Sequence, residues 1–293
     1  MKFIGFSIDK LELCYTASTD ALNYLASESE FEYEGLLYKK TCHNNARIQY
    51  NVSISDAANE KSGALIGTIR LSLSDFYNDN DTVYVWIALD NKFLYSFPEQ
   101  KCVLDYLDII TDTLNLRLNN VSKCEIACDV NKDAVASIRK LIRTTKYDII
   151  VMGKHRKNPD DVINEMIYEV FESRIEEKKR QLRIKGDDSK FQMYCYDKLS
   201  EIKKSGKEYI LDYYEINPDT LWRMEVRFDK EHSRTIIQQL NTTLEAFLEY
   251  NLFNDYGRII TWKFISKKFI RFRKNRDKIN SVLDFDDLNF LNL

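Results

Sequence analysis

Glycine and proline are scarce in this 293-residue chain, at 8 and 3. That scarcity excludes collagen-like, proline-rich and loop-dominated architectures and favours long regular elements. Histidine is as scarce as proline, at 3. His43, His155 and His232 lie far apart in sequence, so chemistry that needs two neighbouring histidines is not expected. No run approaches the roughly 18 to 20 uncharged apolar residues of a membrane span. The first ten residues include Asp9 and lack a long apolar run, so no signal peptide is expected either. The six cysteines form no Cys-x-x-Cys pair; with no signal segment, they suggest reduced thiols and a cytoplasmic location. Cys124 and Cys128 are four apart, but no neighbouring His or Cys completes a zinc pattern. A net charge of −3 leaves no uniformly basic surface, so any nucleic-acid contact has to be local.

What is present is enough for a core. Hydrophobic residues make up 44% and charged residues 30%, with 18 Tyr and 16 Phe, and the length suits two lobes or one large domain. β-Branched and aromatic residues bounded by Asn, Asp, Ser and Gly predict strands over 3–15, 47–54, 64–73 and 82–97. A short helix is expected over 19–26 and a turn at 78–81. Apolar spacing then predicts a helix over 103–118, a strand over 121–130, a helix over 133–143 and a strand over 147–152. A long polar helix is expected over 158–180, with Pro159 near its start. Strands follow at 190–196, 207–214 and 221–228. A helix capped by Ser233 runs to 248, and a basic helix covers 259–278. The expected fold is α+β, an antiparallel sheet core with flanking helices and a helical C-terminal region. The expected parts are a β-rich lobe over 1–118, a lobe bearing the candidate chemistry over 119–232, and a helical basic region over 233–293.

Three of these strands have one apolar face and one ionisable face. Two-residue alternation puts Glu125, Ala127 and Asp129 together, opposite Cys124, Ile126 and Cys128. Arg223, Glu225 and Arg227 oppose Trp222, Met224, Val226 and Phe228. Tyr194, Tyr196 and Lys198 oppose Phe191, Met193 and Cys195. If the strands are neighbours, carboxylates, phenols and cations gather on one surface, a set suited to phosphodiester transfer. Carboxylate oxygens suit Mg²⁺ or Mn²⁺, and a phenol, with a pKa of about 10, needs activation before it can attack phosphorus. A solvated face crossed by an ion-pair ladder would produce the same alternation.

Phe191-Gln192-Met193-Tyr194-Cys195-Tyr196-Asp197-Lys198-Leu199-Ser200-Glu201 resembles the aromatic-Tyr-Asp-Lys-x-x-Glu segment of the rolling-circle replication initiation factors of plasmids, transposons and small phages. Leu221-Trp222-Arg223-Met224-Glu225-Val226-Arg227-Phe228 is similar to that family's Trp-x-Arg-x-Glu strand, and Cys124 to Asp129 stands where its acidic strand would be. The resemblance covers roughly 122–228. It implies Tyr196 as the nucleophile that becomes linked to a 5′ phosphate, with Lys198 assisting and Tyr194 as partner or alternative nucleophile. It implies Glu125, Asp129 and Glu225 as ligands of Mg²⁺ or Mn²⁺, and Arg223 as a brace for phosphate or carboxylate. The implied activity is metal-dependent nicking and religation of one strand at a replication origin. Implied partners are supercoiled duplex and single-stranded origin DNA, with a host helicase and a second copy of the chain as further candidates. The alternative is a non-catalytic DNA-binding regulator or interaction scaffold. Near the C-terminus, nine Lys or Arg against one acid between Arg258 and Lys278, interleaved with Trp262, Phe264, Phe269 and Phe272, read either as a DNA contact or as a core helix with a basic outer face. Gly153-Lys154-His155-Arg156-Lys157 reads as a basic turn.

Overall fold

The computed structural model describes residues 3–18, 27–43, 47–55, 63–72, 82–143, 147–151, 154–156, 181–185, 190–274 and 282–284. The helices expected over 19–26 and 158–180 and the turn at 78–81 lie outside the described residues. Two compact units are present, each assembled from separated stretches of chain. One comprises Met1–Ser7, Glu125–Phe228 and Asp255–Leu293; the other comprises Ile8–Cys124 and Asp229–Asn254.

The second unit is built on a meander. Strands β1 (Phe3–Ser18), β2 (Glu30–Tyr33), β3 (Leu36–His43), β4 (Arg47–Ile54), β5 (Leu65–Ser72) and β6 (Thr82–Leu89) lie in the order β1-β6-β5-β4-β3-β2. Each pair is antiparallel. Alternation sets the core: Ile48, Tyr50 and Val52 of β4 and Val83, Val85 and Ile87 of β6 are buried, and of the residues between them none is. Glu34 and Gly35, with φ of 46° and 75°, make the two-residue turn that joins β2 to β3, since positive φ at both positions matches the strand twist. At Gly67 a Cβ would stand 2.3 Å from the Ala88 carbonyl oxygen, so only glycine lets β5 approach β6 there.

The strand expected over 82–97 stops at Leu89. The Asp90 carboxylate accepts hydrogen bonds from Lys92 N and Phe93 N and starts a short helix, α1 (Asn91–Leu94). Buried Gln100 then ties the chain down. Its Oε1 accepts from Ile8 N at 2.8 Å, and its Nε2 donates to the carbonyls of Ile8 and Leu94, both at 3.0 Å. Helix α2 (Val103–Thr113) is shorter than expected because Asn115 takes up a left-handed φ of 47°, which asparagine tolerates. Leu116 and Leu118 leave the helix, and strand β7 (Arg117–Val130) begins.

The first unit takes over β7 from Glu125 and adds α3 (Ala134–Arg143), β8 (Tyr147–Val151), β9 (Lys154–Arg156), β10 (Gln181–Lys185), β11 (Gln192–Asp197), α4 (Lys198–Ser205), α5 (Tyr209–Tyr213) and β12 (Trp222–Asp229). Its main strands lie in the order β10-β11-β12-β7. Residues 207–214, expected as a strand, instead close local helical bonds, with Leu211 N and Asp212 N donating to the Glu208 carbonyl. A positive φ at Glu215 ends that helix. The tail also departs from expectation. Asp229, not Ser233, caps α6 (Lys230–Gln239); Asn241, at φ 52°, breaks the long helix expected there. The chain resumes as α7 (Leu244–Ala246) and a π-helical turn, Phe247–Leu252. Residues 259–278 are not one helix. Helix α8 (Asp255–Phe269) gives way to β13 (Ile270–Lys274), which pairs with β14 (Val282–Asp284) and β8 in a small sheet of order β14-β13-β8-β9. The fold class is as the sequence predicts, an antiparallel α+β core with flanking helices. Among the described residues no helix is long and apolar enough to cross a membrane.

Candidate active site

On β7, β11 and β12 the apolar faces behave as their patterns require. Ile126, Cys128, Met193, Cys195, Met224 and Val226 are all buried. The Phe191 ring stacks on Phe269 of α8, 4.4 Å between centroids. Burial pushes the Cys128 and Cys195 thiols well above their ordinary pKa, aided by Asp129 at Cys128 and by Asp133 at Cys195. These are inert core thiols. Helix α8 buries Arg258, Thr261, Trp262, Ile265 and Phe269, so Trp262 and Phe269 pack inward while Tyr256 is exposed. Lys263 and Lys267 are only partly buried.

The polar rows are covered as well, which a solvated ladder would not be. β11 and β12 pair so that Tyr194 stands opposite Glu225 and Tyr196 opposite Arg223. At one end of the row Arg223 and Asp129 are both 0% exposed, locked by Nε to Oδ1 at 2.8 Å and Nη2 to Oδ2 at 2.6 Å. A bidentate fork of this kind satisfies both carboxylate oxygens. Tyr214 lies near enough to this end to feel both charges. Its hydroxyl donates to Ser7 Oγ at 3.1 Å, and a Cβ on Gly5 would lie 2.6 Å from its ring. Burial, then the Asp129 charge, hold the Tyr214 hydroxyl well above the ordinary phenol pKa, despite Arg223.

At the other end Tyr196 is half-buried and donates from its hydroxyl to Glu225 Oε2 at 3.1 Å. Glu225 and Glu125 are buried, with carboxylate oxygens within 4.8 Å of one another. Arg227 bridges them, its Nε 2.6 Å from Glu125 Oε1 and its Nη2 3.7 Å from Glu225 Oε1. Burial works against the guanidinium's charge, but Glu125 and Glu225 outweigh it and raise its pKa. Its side chain is still 39% exposed, so it closes the pair from the solvent side. The same guanidinium lies 5.0 Å over the Tyr194 ring, whose hydroxyl hydrogen-bonds to Gln192 Oε1.

Lys198 does not extend the strand. Asp197 caps α4, accepting from Ser200 N at 2.9 Å, and Lys198 becomes its first residue. The buried Lys198 Nζ sits 2.6 Å from Glu201 Oε2 and 5.7 Å from the centre of the Tyr196 ring. Burial pushes the Glu201 carboxyl up, but the Lys198 hydrogen bond and charge, with Lys207, leave it below its ordinary value.

The structure therefore brings together Tyr196, Glu225 and Glu125, with Tyr194 beside them through Arg227. Lys198 stands under the Tyr196 ring, and Asp129 and Arg223 form a separate, sealed pair. Arg227 was visible in the sequence only as a member of the Arg-Glu-Arg row, and Tyr214 only as part of an expected strand. Two buried carboxylates with adjacent oxygens are a hard-oxygen donor pair that fits Mg²⁺ or Mn²⁺. A shared ion about 2.1 Å from each oxygen needs them within roughly 4.2 Å, a small side-chain adjustment.

No family model matches the chain, and no curated protein does. Among solved structures it is similar to a rolling circle replication initiator protein from Geobacillus stearothermophilus. The likeness covers 98% of this chain and 96% of that one, at 15% identity and a TM-score of 0.48. A likeness at that level leaves function to be argued from the side chains.

Proposed function

We propose that this chain is a replication initiator that nicks one DNA strand at an origin and later reseals it, with Tyr196 as the nucleophile. The observation that carries the reading is the 3.1 Å hydrogen bond from the Tyr196 hydroxyl to Glu225, in a pocket shared with Glu125 and Arg227. The Tyr196 oxygen attacks the scissile phosphorus as its proton passes to Glu225. A P–O bond to tyrosine forms and the P–O3′ bond breaks. The 3′ oxygen leaves as a hydroxyl with a proton from solvent, and the 5′ phosphate stays on Tyr196. Attack by a 3′-hydroxyl reverses these steps, so resealing needs no nucleotide. Glu125 and Glu225 would hold a divalent cation, which when bound supplies charge neutralisation at a phosphate oxygen. Arg227, 39% exposed at the solvent side of the carboxylates, would exchange them for the phosphate. Lys198 holds the Tyr196 ring from below, and Asp129 with Arg223 fixes the spacing of β7 and β12. Tyr194, on the Arg227 guanidinium, is the second phenol within reach of the same phosphate.

The test is direct. Purified protein is incubated with supercoiled plasmid bearing the origin of its own replicon and Mg²⁺ or Mn²⁺. Nicked circles carrying protein at a 5′ end, absent with Tyr196→Phe, support the proposal. Cleavage that persists in Tyr196→Phe and Tyr194→Phe alike overturns the nucleophile assignment. One observation favours a second reading, a non-catalytic DNA-binding regulator: Arg227 already neutralises both carboxylates. DNA that is retarded but never cut in either metal would establish it.

A further inference from the structure

Away from these strands, the unit comprising Ile8–Cys124 and Asp229–Asn254 contains a cavity of about 700 Å³. It lies between α2 on one side and the segment from Glu245 to Asn254 on the other, with Tyr15 of β1 in its lining. That volume is in the range of sites that take several side chains or a drug-sized ligand. The apolar lining includes Leu104, Leu107, Leu116, Leu118, Leu248 and Phe253.

The polar lining is one-sided. Asp105 and Asp108 stand three apart on α2, and Glu245 and Glu249 four apart across from them, so each wall offers a carboxylate pair. Asp105, Asp108 and Glu245 form no ion pair among the described residues, and Lys101, the one basic residue of the lining, sits 3.1 Å from Glu99. Burial, then Asp112, Asp105 and Glu249, push the Asp108 carboxyl above its ordinary pKa, so the charges repel one another. A second observation is independent of the carboxylates. Tyr15 is only 3% exposed and lines the cavity, and its hydroxyl has no hydrogen-bond partner among the described residues. A ligand donor or acceptor in the cavity would meet that hydroxyl.

We infer that this groove is a docking site for a basic amphipathic segment of a partner protein. Aliphatic side chains fill the leucine floor, Lys or Arg heads reach the two carboxylate walls, and one polar group meets the Tyr15 hydroxyl. Charge complementarity decides the occupant. Nucleic acid is repelled by four carboxylates, and an acidic or purely apolar segment would leave them without cations. The inference does not depend on the nicking reading.

The experiment titrates the full chain into a fluorescent peptide of about 15 residues, Leu and Lys in helical spacing, and follows anisotropy. Saturable binding that weakens as salt rises is expected. The Asp108→Asn/Glu249→Gln variant should bind roughly tenfold more weakly, as should Leu104→Gln, while origin nicking stays at the level of the unchanged chain. The charge variant should also melt at a higher temperature, because it removes repulsion, so weaker binding would not reflect misfolding. Equal binding by the charge variant overturns the proposal. So does equal binding of a Leu/Glu peptide, or complete displacement by spermine at matched charge. Self-association lost in the variant, without peptide binding, overturns it in favour of a second copy.

Discussion

Two ion clusters sit on the same pair of strands and have opposite characters. Asp129 and Arg223 are sealed from solvent and consume one another's hydrogen bonds. Four residues along β7 and two or four along β12, Glu125, Glu225 and Arg227 form a looser group with a half-buried phenol on it and a partly exposed guanidinium over it. The residue types are nearly the same. What differs is the exposure: Asp129 and Arg223 are both fully buried, while the guanidinium over Glu125 and Glu225 is 39% exposed. A buried charge pair is costly to break, and an open one can be rearranged by a ligand. The comparison teaches that acid and base in alternation are not yet a site; the site is where the alternation is left unsealed.

The largest break in this comparison is expected from Tyr196→Phe. It should abolish the covalent protein–DNA product, by roughly 10³-fold or more in single-turnover nicking, and leave the melting temperature unchanged. Next comes Asp129→Ala, which strands Arg223 in the interior and should cost about 3–5 kcal/mol of stability by denaturant unfolding. A paired Asp129→Leu/Arg223→Met change should recover most of that loss; if it does not, the sealed pair is more than a spacer. Smaller is Arg227→Gln, which opens the carboxylate pair. Mn²⁺ affinity by calorimetry should rise by roughly tenfold, one charge's worth of competition, while nicking falls because the phosphate loses its cation. The smallest effect belongs to Glu201. Its folded pKa lies below the ordinary carboxylate value because of Lys198 and Lys207. Its stabilising contribution is therefore present above the unfolded pKa and lost as pH falls through the folded one. As pH falls below the ordinary carboxylate range, the stability gap between the unchanged chain and Glu201→Gln should close, as read by thermal melts across pH.

Much of this was legible in the sequence, for a specific reason. A strand writes its two faces into alternate residues, so Glu125 with Asp129, and Arg223 with Glu225, could be placed on common faces before any coordinates. Burial was not legible. The same alternation fits a solvated ladder, and long-range packing such as that of Tyr214 against Gly5 and Ser7, more than two hundred residues apart in sequence, is not written in any one strand. Residues 207–214 misled because Tyr, Ile and Leu suit strands, whereas the segment satisfies its carbonyls locally as α5. Lys198 misled for the opposite reason. Asp197 is an N-cap, so the strand ends one residue before the lysine. The same capping logic explains α1, where Asp90 stops a strand that composition alone would have continued. The segment over 259–278 reads as one helix because Lys and Arg hide the change of period at Ile270, where β13 begins.

The unit that carries Tyr196 takes residues from both ends of the chain. Phe6 and Trp262 lie 5.4 Å apart, and buried Arg258 donates to the Phe6 carbonyl at 2.9 Å. Strands β11 and β12 therefore complete their packing only when α8, far along the sequence from both, has joined them, with Phe269 stacked on Phe191.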